Sequence, residues 1–548
     1  MNKDLGRKIR DLTIELTGIR SVVGTREENN VVERIYEKFT NMKYFKENPN
    51  MVRFVHVKDD PFNRKSVLAI VKGKKGNSKK TVVLIGHTDT VGISDYGIIG
   101  EYATKPLELK DKLKTLSLPE EALKDLESGK YLFGRGIFDM KCGTSTLITM
   151  MEAFSDDVEN LEGNLVFAAV CDEEGNSGGM LNVVPELVKL MKEEGFEYQA
   201  LIDTDYMAPR YEGDNSRYIY VGTVGKIMPS FYIVGSEAHG GDPFRGIDPN
   251  HISSAILEEI DFNMKYADEA EGEVTVPPIS LRQQDLKPEY SVQTARTSYL
   301  YFNFGTHSST PDEILKKVKE GAKLAFQKVI DALNVEYEKY CKANNFPFEK
   351  LPWKARVMSY EELYNKVKEE KGEELDKALN ELSEKLLKDE NVDERVYALK
   401  TVETVHSMWS DKDPVVIAYF SPPYYPHIYV KGETELEKKL LDVVNKVITN
   451  AESKYDIKMK KFYPYISDLS YGAAPREANA IQSLKNNMPG FGVKYDLPLE
   501  DMQTLNLPVV NIGPFGKDAH KYTERLEEDY SFNVAPKLVY ETIVNLLK

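Results

Sequence analysis

The chain is short of cysteine, of long apolar runs and of positive charge, and each shortage excludes something. Cys142, Cys171 and Cys341 are the 3 cysteines among 548 residues. They are too few and too scattered for a disulfide framework and show no CxxC pairing, which points to a reducing compartment. No stretch approaches the ~18 apolar residues of a membrane span, and the N-terminal MNKDLGRKIRDLTIEL is charged throughout, without an apolar signal core. Lysine and arginine number 72 against 88 aspartates and glutamates, a net charge of −16. That balance argues against nucleic acid or an anionic membrane as the main partner. The expectation is a cytoplasmic protein of two or three globular units, with 41% hydrophobic and 29% charged residues.

What the chain does contain is organised around TVVLIGHTDTV (81–91). Thr81 to Ile85 read as a fully buried strand, and at Gly86 the chain turns polar. His87 and Asp89 are two residues apart on an extended chain and therefore face the same way. A metal-binding imidazole uses that arrangement: one ring nitrogen takes the ion while a carboxylate fixes the tautomer through the other. Alone, a His-x-Asp in so acidic a chain arises readily by chance. Further along, YLFGRGIFDMKCG delivers Asp139 after a tight Gly134-Arg135-Gly136 loop. NLVFAAVCDEEGNSGG runs apolar from Leu165 to Val170 and ends in Glu173-Glu174, and QALIDTDY ends in Asp203 and Asp205. Adjacent glutamates closing a buried strand are costly unless something positive meets them. Helices interleave with these strands, and in open α/β sheets ligands gather at the carboxyl ends of strands. Convergence of His87, Asp139, Glu173, Glu174 and Asp203 is most economically explained by a divalent metal cluster.

The remaining segments set the frame. Helical spacing is expected over 4–17, 27–42, 140–154 and 185–194, and strands over 51–58 and 66–73; residues 92–130 read as a surface excursion. From about 217 the texture changes to that of a half-exposed antiparallel strand pair. A helix (248–262), strands (290–305) and a long charged helix (312–340) follow. Residues 355–412 read as Glu/Lys-rich helix with a solvated face. The helix–strand rhythm returns after 432 with LPVVNIGPFG (507–516), Asp518-Ala519-His520 and a final helix (533–547).

GHTDTV, GRGIFDMKCG, DEEGNSGG and GPFGKDAHKYTE, in this order and interrupted by a small α+β insert, resemble the di-zinc hydrolase family of aminoacylase, carnosinase, peptidase T and succinyl-diaminopimelate desuccinylase. The large insert and PYISDLSY (464–471) look most like its branch named for bacterial arginine utilisation. The resemblance implies an α/β fold: a phosphorylase/hydrolase-like three-layer catalytic domain with a mixed, mainly parallel sheet (1–219 and 426–548), interrupted by an α+β lid with extra helices (220–425). It implies a first zinc on His87 and Asp203, with Asp205 as the alternative. A second zinc would lie on Glu174 and His520, with Asp139 bridging both; manganese or cobalt are alternative metals. Asp89 would orient His87, Glu173 would be the general base, and His239 would contact an oxyanion or carboxylate. Glu524, Asn250 and Arg245 would contact substrate. It also implies a cis peptide between Asp139 and Met140. The expected activity is hydrolysis of an amide bond in a small peptide or N-acyl amino acid, by a monomer or homodimer. The alternative is a non-catalytic relative that keeps the metals for binding or regulation.

Overall fold

The computed structural model describes residues 3–548. The chain divides into two compact units. The first comprises the described residues up to Thr223 with Ile428–Ala474 and Pro498–Lys548; the second comprises Val224–His427 and Pro475–Leu497. The sequence reading set these divisions at 219/220 and 425/426, and assigned 475–497 to the catalytic part.

An eight-stranded sheet forms the first unit. Its central strands Asn164–Val170, Lys80–His87, Glu197–Asp203 and Val509–Asn511 run parallel. Lys65–Lys72 and Val52–His56 extend one side antiparallel, and Arg217–Tyr220 and Ile457–Lys460 complete the other. The apolar runs explain the order, since a strand covered on both faces needs apolar side chains on both. From Thr81 to His87 every residue is buried, and so is all of Asn164–Val170. Helices lie on both faces. Gly86 abuts Thr144 of helix Cys142–Asp156. Register carries Gly86 through Ala169 to Val67, so Ser66 points the other way, and there it abuts Gly179 of helix Gly178–Glu194.

That second helix starts seven residues earlier than its periodicity suggests. Gly178 and Gly179 read as a turn, but Gly179 is a close-approach glycine: a Cβ there would lie 2.4 Å from the Cys171 carbonyl oxygen.

The second unit is built on a five-stranded sheet in the order Ile279–Asp285, Thr297–Thr306, Gly225–Val234, Val415–Tyr425, Val357–Ser359, antiparallel except for the last pair. The expected strand pair after 217 is therefore not a hairpin. Arg217–Tyr220 belongs to the large sheet and Gly225–Val234 is the centre of the small one. Neither is half-exposed as expected: both are buried almost throughout, and sequence pattern does not say which sheet a strand joins. The Glu/Lys-rich stretch forms helices Tyr360–Lys371, Glu373–Leu386 and Glu394–Met408. Leu363, Val367, Leu375, Val402 and Val405 on these helices build a core with Tyr232 and Ile417, so one face is covered. Among the described residues no helix is long and apolar enough to cross a membrane, and the three cysteines are free and buried.

Candidate metal centre

His87 is the last residue of its strand and is 2% exposed. Its Nδ1–H donates to the Asp89 carbonyl oxygen at 3.1 Å, which leaves Nε2 facing Asp139 Oδ1 at 3.1 Å and Glu173 Oε2 at 3.9 Å. On the other side of Asp139, His520 Nε2 lies 2.9 Å from Oδ2 and 3.0 Å from Glu174 Oε1. Asp139 thus stands between two imidazoles, one on each oxygen. Its peptide bond to Met140 is cis.

Three sets of side chains place one donor atom each within 4.8 Å of one another: His87, Glu173 and Glu174; His87, Asp139 and Asp205; Asp139, Glu174 and His520. Asp205 takes the place expected of Asp203, and register gives the reason. Ile85 pairs with Asp203 across the parallel strands, so His87 lies level with position 205. Asp203 is buried at the strand end, its Oδ1 accepting from Thr204 N–H at 2.7 Å. The loop after Val509–Asn511 presses on the same region: a Cβ on Gly513 would lie 1.6 Å from the Asp205 carbonyl oxygen, so no side chain fits there.

Asp89 meets the His87 ring through its backbone carbonyl, and its carboxylate has a further task. Its carboxylate is 3.7 Å from Nδ1, while its two oxygens accept the backbone N–H groups of Glu173 at 3.2 Å and Glu174 at 3.0 Å. The loop that carries one donor atom therefore fixes the turn that carries the next. That turn is anchored behind by Arg64, which is bonded to Asp172, to Glu28 Oε1 at 3.2 Å and to Asp60 at 2.7 Å. Glu28 Oε2 in turn accepts the Asp172 N–H at 2.8 Å.

The electrostatics fit a cation. Burial raises the proton affinity of Glu173 well above the usual carboxylate range; His87 counters it, while Asp468, Glu174 and Asp205 add to it. Burial, then Asp139, raises Glu174 and brings Asp205 to about 7. Burial, then Asp205, raises Asp203. Burial opposes charge on His520, but its bonds to Asp139 and Glu174 prevail and lift it to about 10. A lone pair on His87 Nε2 aimed at a carboxylate oxygen is repulsive unless a proton or a metal ion lies between them. Nitrogen and oxygen donors in two overlapping sets suit two divalent ions.

Of the other expected residues, Glu524 lies within electrostatic reach of Asp139 and His520, and the rest lie elsewhere. Glu524 is 1% exposed and bonded to Arg135 Nη1 at 2.7 Å; burial lifts it to about 8 despite that arginine. His239, Arg245 and Asn250 belong to the second unit. His239 is exposed and its Nδ1 accepts from Gly241 N–H at 3.0 Å. Arg245 pairs with Asp242 at 3.2 Å, and the Asn250 N–H caps helix Pro249–Ile260 through Asp248. The sequence reading missed Glu28, Arg64 and Asp468. Asp468 is the aspartate of PYISDLSY and is 2% exposed. The acid within PYISDLSY, a motif the resemblance already singles out, was the available signal.

The profile described as Peptidase family M20/M25/M40 matches residues 114–545. Protein RocB of Bacillus subtilis is 35% identical over 543 residues, covering 99% of this chain and 95% of that protein. The uncharacterized protein YqjN of Bacillus subtilis is 33% identical over 553 residues, covering 100% and 98%. A tripeptidase from Staphylococcus aureus has the same fold, with a TM-score of 0.53 at 12% identity over 99% of this chain and 98% of its own.

Proposed function

Because the chain belongs to peptidase family M20/M25/M40, it is a hydrolase, and we propose that it cleaves an amide bond in a small peptide or N-acyl amino acid with two metal ions, taken here as zinc. The observation that carries this reading is Asp139 placed between His87 and His520, with Glu173 beside His87. His87, Asp139 and Asp205 would hold one ion, and Asp139, Glu174 and His520 the other. Bound there, the ions supply Lewis acidity toward a water and toward the scissile carbonyl oxygen. Glu173 takes the proton of the attacking water at a carboxylate oxygen and returns it to the departing amine nitrogen. Asp89 keeps that carboxylate in place by gripping its backbone N–H. The likeness of the insert and of PYISDLSY to the arginine-utilisation branch supports a role in arginine or other amino-acid catabolism.

Elemental analysis of protein purified without chelator tests the reading: about two metal ions per chain are expected. Glu173→Gln should keep both and lower turnover of dipeptides and N-acyl amino acids by about 10²–10⁴-fold. A protein that takes up no metal when zinc is offered, or a Glu173→Gln variant with full turnover, overturns it.

A further inference from the structure

Residues 92–130 look like an appendage to the sheet, yet they supply the carboxylates that hold the loop bearing His520. That loop is the tip of a hairpin, Gly516–Lys517 with Arg525–Glu527, which pairs with strand Tyr131–Phe133. His520 is the exposed member of its donor set, its side chain 47% accessible, and both Asp518 and His520 have left-handed backbone, with φ of 59° and 65°. The tip has backbone bonds of its own, from Lys521 N–H to the Asp518 carbonyl at 3.0 Å and from Glu524 N–H to the Lys521 carbonyl at 2.8 Å, and two arginines, each with a side chain 1% exposed, hold its flanks.

Arg525 binds Asp518, two residues before His520, and its Nε donates to Asp125 Oδ2 at 2.7 Å. Arg135 Nη1 donates to Glu524, four residues after His520, at 2.7 Å, and its Nη2 donates to both oxygens of Asp95 at 2.8 Å. Asp95 and Asp125 both come from the excursion. Its apolar residues, among them Tyr96, Leu109 and Leu126, pack on Phe133 and on Tyr522, two residues beyond His520. A left-handed loop is thus gripped on both flanks by buried arginines, and each arginine is itself fixed by carboxylates of the same segment, Arg135 by Asp95 and Arg525 by Asp125, with Glu121 farther off at 3.9 Å.

We propose that residues 92–130 are a brace for the His520 loop, and that Asp95 and Asp125 are positioning residues for the metal site His520 completes. The inference rests on the reading of His520 as a ligand. Second-sphere groups that orient a ligand are typically worth about 10–100-fold in metal affinity. The effect is confined to one ion, because the His87, Asp139 and Asp205 set takes nothing from the loop.

The test is cobalt(II) titration of metal-free protein, followed by calorimetry and by the visible absorption of the bound ion. Wild type should take up two ions and His520→Ala one. The Asp95→Asn/Asp125→Asn double variant should bind one ion with wild-type affinity and the other about 10–100-fold more weakly, with an altered spectrum for the weak site alone. Asp125→Glu should recover most of the affinity. Should Asp125→Asn fail to fold, Asp95→Asn carries the test alone, since that side chain is 33% exposed. Two ions held at wild-type affinity in the double variant, or both weakened alike, overturn the brace. If wild type itself takes up fewer than two ions, or His520→Ala keeps both, the ligand reading fails and the brace falls with it.

Discussion

The two histidines of the centre are held in opposite ways. His87 ends a buried strand flanked by parallel neighbours on both sides, and at the strand end its N–H meets Met140 Sδ at 3.2 Å while its carbonyl accepts from Thr144 Oγ1 at 2.8 Å, so buried packing fixes it. His520 lies on a half-exposed, left-handed loop, and side-chain charges fix it. The difference teaches that one donor set is a by-product of the sheet, whereas the other has to be assembled from salt bridges. Sheet geometry is general to the fold, while a loop held by four charged partners can be tuned one residue at a time.

The largest break in this comparison should come on the sheet side. Arg64→Met leaves Glu28, Asp60 and Asp172 without their common cation, and loss of one partner from a buried ionic network costs about 3–5 kcal/mol. Urea unfolding of the metal-free protein checks this, and a variant as stable as wild type would mean that the network anchors nothing. A smaller loss is expected for Asp89→Ala, which orphans the N–H groups of Glu173 and Glu174. The expected destabilisation is about 1–3 kcal/mol, accompanied by loss of metal. If both ions bind as before, the cross-link between the two loops is ornamental.

The smallest effect belongs to the loop side and appears in the pH profile of the metal-free protein. The folded state lifts His520 to about 10 from an ordinary 6.5. A raised histidine stabilises fully below about pH 6.5, and that contribution disappears as the pH climbs through 10, because the folded state binds the extra proton in between. With the side chain half exposed, screening limits the gain to about 1 kcal/mol or less. His520→Ala should therefore flatten the decline in melting temperature between pH 6.5 and 10. An unchanged slope would contradict the contacts to Asp139 and Glu174.

Much of the fold was legible because buried parallel strands write themselves as apolar runs. The run from Thr81 to Ile85 and that from Leu165 to Val170 lie side by side in the sheet. The polar residues after each run marked the carboxyl ends where His87, Asp139, Glu174 and His520 meet. What escaped depends on relations across the chain. Choosing Asp205 over Asp203 needs the register between two strands, which neither strand contains. Asp89 gripping the next turn and Arg64 gripping Asp172 are contacts 84 and 108 residues apart. Strand Ile279–Asp285 was missed because it is an edge strand exposed along most of its length, and so lacks a hydrophobic signature. The covered face of helices Tyr360–Lys371 and Glu394–Met408 was hidden by the abundance of lysine and glutamate around it.

One feature of the large sheet bears on how the protein is made. Strands Glu197–Asp203 and Arg217–Tyr220 follow each other in the chain but are not neighbours; Val509–Asn511 lies between them. During synthesis at about 5–20 residues per second, the ribosome takes roughly 15–60 s to travel from Tyr220 to Asn511. For all that time the place of Val509–Asn511 is a vacant slot: Glu197–Asp203 has an open hydrogen-bonding edge, and Arg217–Tyr220, whose other neighbour is Ile457–Lys460, has no partner in this sheet before residue 457, the kind of surface on which chains pair wrongly with each other. The second unit emerges in this interval, and the strand that closes the slot arrives just before the hairpin that brings His520. Completion of the sheet and completion of the donor set are therefore nearly the same event, and a ribosome stalled before residue 509 leaves a chain that is both aggregation-prone and without His520 to complete that set.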